Sequence, residues 1–271
     1  MSVSRESLKA LRQSIAVIGR DGARHMGGAE AGRVPLGHPE VDHALGGGLM
    51  RGASHDVMPA TPRDAAAATG FALGLVSRLA EASAWVWIRQ DMAGRESGEP
   101  YGPGLAAFGL DPSRLVLVST PDAREALRAA EESLRCAALG AVLFEPWGDP
   151  KSLDLTATRR LSLAAEQSGV TLLTLRSGGH GPLGSSRTRW DIAAAPSFGE
   201  MGGGPGLPAF AAHLVLNRQT GAGGPGGIWN MEWTHGDNIF RPAHSRPLLS
   251  PSGDRPVATA AATILPFQRT G

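Results

Sequence analysis

The chain has 271 residues, of which 42% are apolar and 19% charged, and its formal net charge is +1. This length fits one large domain or two small ones. It has no apolar run of the length of a membrane-spanning helix and no secretory signal pattern, so we expect a soluble, cytoplasmic protein. A single cysteine excludes a disulfide scaffold and a multi-cysteine zinc site, and the balanced charge predicts weak or indirect DNA binding.

The first element is a short amphipathic helix over residues 4–18. Its apolar residues recur at spacings of three and four, which places Leu8, Leu11, Ile15 and Ile18 on one face. A polar, Gly-rich stretch over residues 19–32 separates this helix from the rest. We therefore predict an N-terminal segment of residues 1–33 whose apolar face packs on a partner or folds back onto its own domain.

The centre of the chain alternates between short apolar runs and helical patterns. A strand over 55–58 leads into a helix over 64–82 with Asp64 as its cap. Further strands are predicted at 84–88 (AWVWI), 115–118 (LVLV), 141–144 (AVLF) and 170–175 (VTLLTL), all covered on both faces. Helices over 120–139, ended by Gly140, and over 153–167, stopped by Gly169, separate them. This alternation predicts an α/β fold with a mostly parallel sheet and helices on both faces.

After residue 187 the pattern changes to strands without helices. Strands over 188–194, 212–216 and 228–233 predict an antiparallel extension of the same sheet. The core domain is therefore assigned to residues 34–244. Residues 245–271 are rich in Pro and Ala and predict a flexible tail, in which Ile264, Leu265 and Phe267 form a second candidate surface for a partner.

The first strand–loop–helix unit occupies the position of a phosphate-binding loop. Such loops need glycines that turn backbone N–H groups onto phosphate and a lysine that reaches the outer phosphates. Residues 59–65 contain neither glycine nor lysine, and they carry two prolines and an aspartate. We therefore predict a degenerate loop with no ATP binding in the usual manner, at Pro59, Ala60, Thr61, Arg63, Asp64 and Ala65.

Several motifs in order resemble RecA-type recombinases. The stretch 34–73, with its run Gly46-Gly47-Gly48-Leu49, resembles the approach to the RecA phosphate loop, and 109–122 (GLDPSRLVLVSTPD) resembles the next RecA segment. The segment 141–147 (AVLFEPW) lies where RecA has its second acidic nucleotide motif. Arg159-Arg160-Leu161, Thr188-Arg189-Trp190 and the Trp229/Trp233 strand resemble the ImuA family, over roughly residues 5–245.

The ImuA resemblance implies an accessory factor of DNA-damage-induced mutagenesis. Its expected partners are ImuB, an inactive relative of Y-family polymerases, and an error-prone C-family DNA polymerase, with RecA and a second copy of the chain as further candidates. The resemblance also places the RecA water-activating carboxylate at Gln90, an amide that cannot act as a base. Only Glu145 keeps an acidic group, as a vestigial magnesium ligand or as a surface carboxylate at a strand end. We therefore expect no enzymatic activity, no cofactor and no metal.

Two alternatives remain open from the residues. The first is a working RecA-like ATPase. The second is a factor that binds single-stranded DNA, because Arg187, Arg189 and Trp190 join two charges to a stacking surface. A buried tryptophan flanked by solvated arginines is the structural alternative for that triplet.

Overall fold

The computed structural model describes residues 10, 11, 13, 14, 32–81, 83–176, 184–197, 206–220 and 226–243. None of the helices in these ranges combines the length and the apolar character that crossing a membrane requires. The predicted boundary at residues 33/34 falls inside the first strand, and the predicted tail lies outside the described residues.

A nine-stranded mixed sheet forms the centre of the protein, and two further short strands pair separately. The strands are β1 (Arg33–Val34), β2 (Leu49–Met50), β3 (Ser54–Pro59), β4 (Ala84–Gln90), β5 (Leu115–Thr120), β6 (Leu139–Glu145), β7 (Thr171–Leu175), β8 (Thr188–Ala194), β9 (Ala209–Asn217), β10 (Ile228–Thr234) and β11 (Ile239–Pro242). The order in the large sheet is β11-β10-β9-β8-β3-β7-β6-β4-β5, and the separate pair is β1 with β2.

Helices cover both faces of the parallel part of the sheet. They are α1 (Pro39–Ala44), α2 (Ala65–Ala80), α3 (Asp91–Ser97), α4 (Gly102–Ala107), α5 (Ala123–Leu134) and α6 (Leu155–Ser168). Helix α2 packs on one face, against β3, β6 and β8, while α5 and α6 pack on the other. The α/β class and the helices on both faces are confirmed.

Two apolar clusters hold these layers together. On the α2 side, Phe71 and Trp233 pack against Phe240, with ring centroids 5.1 and 4.9 Å from it. On the α5 and α6 side, Val86, Ile88 and Phe144 meet the apolar faces of the helices. The continuous apolar runs of the sequence arise because strands β4, β6 and β7 bury both faces.

Local sequence signals set the helix ends. The carboxylate of Asp122 accepts hydrogen bonds from the backbone N–H groups of the first turn of α5, as an N-cap does. Helix α6 ends at Ser168 and is followed by Gly169, which has φ +78°. This left-handed conformation suits a residue without a Cβ.

The structure corrects several predicted elements. Strand β5 lies at the edge of the sheet beside β4, with Leu117 39% exposed, so the prediction that this strand is covered on both faces is wrong. Strand β8 runs parallel to β3, so the antiparallel extension begins only at β9. Helix α5 ends at Leu134 and not at the predicted Gly140, which belongs to β6. Strand β11 and helices α3 and α4 were not predicted, because four to seven residues carry too little periodic pattern.

Candidate functional site at the carboxyl edge of the sheet

The degenerate loop connects β3 to α2 through a short 3₁₀ turn, Pro62–Asp64. Its polar backbone groups bind protein acceptors. The N–H of Ala60 donates to the carbonyl of Ile192 (2.8 Å), and the N–H of Thr61 donates to the Asp64 carboxylate (3.1 Å). In a phosphate-binding loop such N–H groups point at the anion instead.

Asp64 does not cap α2 through its side chain, which corrects the prediction. Its carboxylate accepts hydrogen bonds from the Thr61 hydroxyl (2.6 Å) and from the backbone N–H of Ala194 in β8 (2.9 Å). The Thr61 and Ala194 hydrogen bonds lower the pKa of Asp64, because they stabilise its charged form. A carboxylate that stays ionised beside the first turn of α2 repels a phosphate group.

Glu145, at the end of β6, is buried with 3% of its surface exposed, so the surface alternative for this residue is wrong. Its carboxylate accepts a hydrogen bond from Arg89 Nε (2.6 Å) and one from the indole Nε1 of Trp87 (2.9 Å). Arg89 is also buried and donates to the Gly98 carbonyl and the Ser97 hydroxyl. The strand-end carboxylate is therefore neutralised by a guanidinium from the neighbouring strand.

Gln90 is the last residue of the adjacent strand β4, and its side chain holds a neighbouring loop in place. The side chain is buried, and its Oε1 accepts a hydrogen bond from the backbone N–H of Trp147 (2.7 Å). This bond ties the end of β4 to the loop after β6. An amide used in this way has no basic atom with which to activate water.

These residues do not fit a nucleotide with magnesium. The tertiary structure brings residues 59–65, Gln90 and Glu145 to one edge of the sheet, where a RecA-type site lies. The loop offers no lysine and turns N–H groups onto protein acceptors, while Asp64 adds negative charge. One carboxylate oxygen of Glu145, Oε2, already accepts hydrogen bonds from Arg89 and from the Trp87 indole, so that oxygen is not available to a cation.

A cavity of about 700 Å³ opens at the same edge. Helix α2 supplies one wall and the segment that carries α3 and α4 supplies the other, with Trp87, Arg89 and Glu145 on the floor and Tyr101 at the rim. Because Arg89 already binds three protein acceptors, its guanidinium is not free to bind a ligand in this cavity.

The predicted nucleic-acid triplet is corrected by the structure. Trp190 is 0% exposed and packs on Phe71, so its ring cannot stack on a base. Arg189 is buried on the opposite face of the sheet and pairs with Asp56 (3.1 Å). Strand alternation explains both placements, since neighbouring residues point to opposite faces and both faces of β8 are covered here. Only Arg187, which precedes the strand, reaches solvent.

One residue of the predicted partner-binding stripe can be placed. Leu11 is buried in the apolar cluster on the α5 and α6 side, with Val86 and Ile88. This contact supports packing of the N-terminal helix onto its own domain. The other stripe residues, Leu8, Ile15 and Ile18, and the tail residues Ile264, Leu265 and Phe267 lie outside the described residues.

Sequence reasoning missed two sets of residues at these surfaces. The alternation in AWVWIRQ shows that Trp87 and Arg89 share one face of β4, but nothing in the sequence pairs Arg89 with Glu145, 56 residues away. The arginines of α6 and of the end of β9 were likewise not connected with Arg187. Among the described residues, no group of three or more His, Cys, Asp or Glu could hold a metal ion.

Comparisons with known proteins agree with this architecture. The chain is 34% identical over 249 residues to Protein ImuA of Caulobacter vibrioides strain NA1000 / CB15N and equally to that of strain ATCC 19089 / CIP 103742 / CB 15, covering 84% of this chain and 93% of each relative. No family model matches. The crystal structure of the RadB recombinase matches with a TM-score of 0.53 and 14% identity, covering 78% of this chain and 100% of that one. This likeness confirms the predicted RecA-like fold.

Proposed function

Because the chain belongs to the ImuA family, we propose that it is a non-catalytic, RecA-like accessory protein of DNA-damage-induced mutagenesis. It acts through protein contacts in translesion synthesis. Its partners are an ImuB-like relative of Y-family polymerases and an error-prone C-family DNA polymerase, with RecA and self-association as further candidates. The family and the fold support the setting, and the contacts with partners are the proposed part.

The buried pair between Arg89 and Glu145 is the observation that carries the non-catalytic role. A magnesium-binding carboxylate presents its oxygens to the ion, whereas Oε2 of Glu145 accepts hydrogen bonds from a guanidinium and an indole. Breaking the pair to admit a cation would leave the buried Arg89 with only the exposed Glu99, 4.0 Å away, as counter-charge, which is costly. The same residues that resemble a nucleotide site therefore act in this proposal as part of the folded core.

The first experiment tests ATP binding and hydrolysis by the purified full-length chain. We expect no change in Tm with ATP and magnesium, and no phosphate release above the buffer rate. A matched comparison uses Glu145→Gln, which keeps the size of the side chain. Turnover by the parent chain that is lost in Glu145→Gln, at equal helical content, would show that the site is catalytic.

The second experiment tests partner binding through the tail. A variant with Ile264, Leu265 and Phe267 replaced by Ser should bind the purified ImuB-like protein at least ten times more weakly than the parent, because apolar contact area is lost. The matched control replaces the polar neighbours Thr263, Gln268 and Thr270 by Ser. Equal affinity of all three chains would contradict the tail as a docking segment, and absence of any binding would contradict the proposed partner.

A further inference from the structure

Three arginines from separate parts of the chain line one open cavity of about 550 Å³. Arg159 comes from α6, Arg187 from the segment before β8, and Arg218 from the residue after β9. The cavity lies at the amino-terminal edge of the parallel strands, where Ser162 of α6 bonds to Ser54 at the start of β3 (2.6 Å). It is therefore separate from the degenerate loop at the carboxyl edge.

Positive charge exceeds negative charge in this cavity. Its lining includes one carboxylate, Glu166, which pairs with Arg187 (2.9 Å). Arg218 donates to the carbonyls of Gly184 and Ser186, which orient the guanidinium without neutralising it. Among the described residues, no carboxylate forms an ion pair with Arg159. Within the part of the chain that the structure describes, the guanidinium groups of Arg159 and Arg218 thus line the same space with no carboxylate paired to either, and this excess positive charge favours binding of an anion.

The geometry points to a binding site for phosphate groups at this cavity, and we propose that its ligand is the sugar–phosphate backbone of single-stranded DNA. Guanidinium groups approaching from three segments suit a tetrahedral group with several oxygens, whereas one planar carboxylate matches a single guanidinium fork. Leu155 and Leu163 flank Arg159 on α6 and are 62% and 42% exposed. They offer apolar contact area for sugars and bases beside the charged cavity.

The choice of DNA over the other sources of phosphate rests on the proposed function, a role in DNA-damage-induced mutagenesis, and adds a nucleic-acid contact to the protein contacts argued above. It also replaces the sequence prediction with a different set of residues. Arg187 is retained from the predicted triplet, while Arg159 and Arg218 take the places of the buried Arg189 and Trp190. The expected affinity is modest, because few phosphates are contacted and the protein as a whole is nearly neutral.

The test measures binding of a fluorescent 20-nucleotide oligo(dT) to the full-length chain by polarisation, from 20 to about 200 mM salt. Arg159→Ala combined with Arg218→Ala should weaken binding and make the slope of log K against log salt shallower by about 1.4, since each single-strand phosphate contact contributes about 0.7. Arg159→Ala alone tests the site without the Arg218 hydrogen bonds, and should lower the slope by about 0.7.

The matched control is Arg114→Ala combined with Arg128→Ala, which removes the same charge from two exposed arginines elsewhere. It should leave the slope unchanged. Competition by pyrophosphate against oligo(dT) in the parent chain, and weaker competition in Arg159→Ala, would support a phosphate site. Tighter binding of oligo(dT) than of pyrophosphate would identify DNA as the ligand. Absence of oligo(dT) binding, equal losses in the control, or a preference for poly-glutamate would overturn the proposal.

Discussion

The ion pair between Arg89 and Glu145 allows a quantitative test of whether the Glu145 carboxylate has a structural or a catalytic role. Both side chains are about 95% buried, and the carboxylate accepts hydrogen bonds from Arg89 and from the Trp87 indole. Glu145→Ala removes Oε2, the acceptor of both hydrogen bonds, and leaves the buried guanidinium with only the exposed Glu99 as counter-charge, which typically costs about 3–5 kcal/mol. Glu145→Gln keeps an acceptor and loses only the charge, so its expected cost is about 1–3 kcal/mol.

The assay is urea unfolding of the full-length chain followed by circular dichroism, with and without magnesium and ATP. The matched control is Asp237→Ala, which breaks an exposed pair with Arg241 and should cost less than about 1 kcal/mol. A domain of ordinary stability, about 5–15 kcal/mol, remains folded in the Gln variant. A loss below about 1 kcal/mol in Glu145→Ala, or stabilisation of the parent by magnesium and ATP that the variant lacks, would refute the reasoning.

Three further predictions concern the core. Burial lowers the pKa of His55 to about 4 from 6.5, so the unfolded chain binds this proton at a higher pH than the folded chain. The free energy of unfolding should therefore fall by up to about 3 kcal/mol as the pH drops from 6.5 to 4. A His55→Leu variant with the same pH dependence would contradict this. A Cβ at Gly140 would lie 2.5 Å from the Ala80 backbone at the end of α2, so Gly140→Ala should lower the free energy of unfolding in urea by about 1–3 kcal/mol. Gly102→Ala is the control and should leave it unchanged, because a Cβ there has space. Phe144→Asp should unfold the domain, and Leu117→Asp on the edge strand should leave its circular dichroism spectrum intact.

The sequence determined the fold class, because periodicity and helix-end signals act locally. Continuous apolar runs indicated β4, β6 and β7, because both faces of these strands are buried. Asp122 marked the start of α5 through its capping carboxylate, and Gly169 marked the end of α6 through its left-handed backbone. The absence of glycine and lysine from residues 59–65 was likewise visible without coordinates, since a phosphate loop requires those residue types.

Only the tertiary structure decided what each strand and charge contacts. The same kind of apolar run forms the edge strand β5 and the central strand β6, because strand order depends on contacts between distant segments. Trp190 belongs to the apolar core because α2 covers its face of β8. Glu145 is a buried ion-pair partner because β4, which carries Arg89, lies beside β6. Arg159, Arg187 and Arg218 lie far apart in sequence and share a cavity because α6, β8 and β9 meet at one edge of the sheet. Long-range packing sets these neighbours, and no local pattern encodes them.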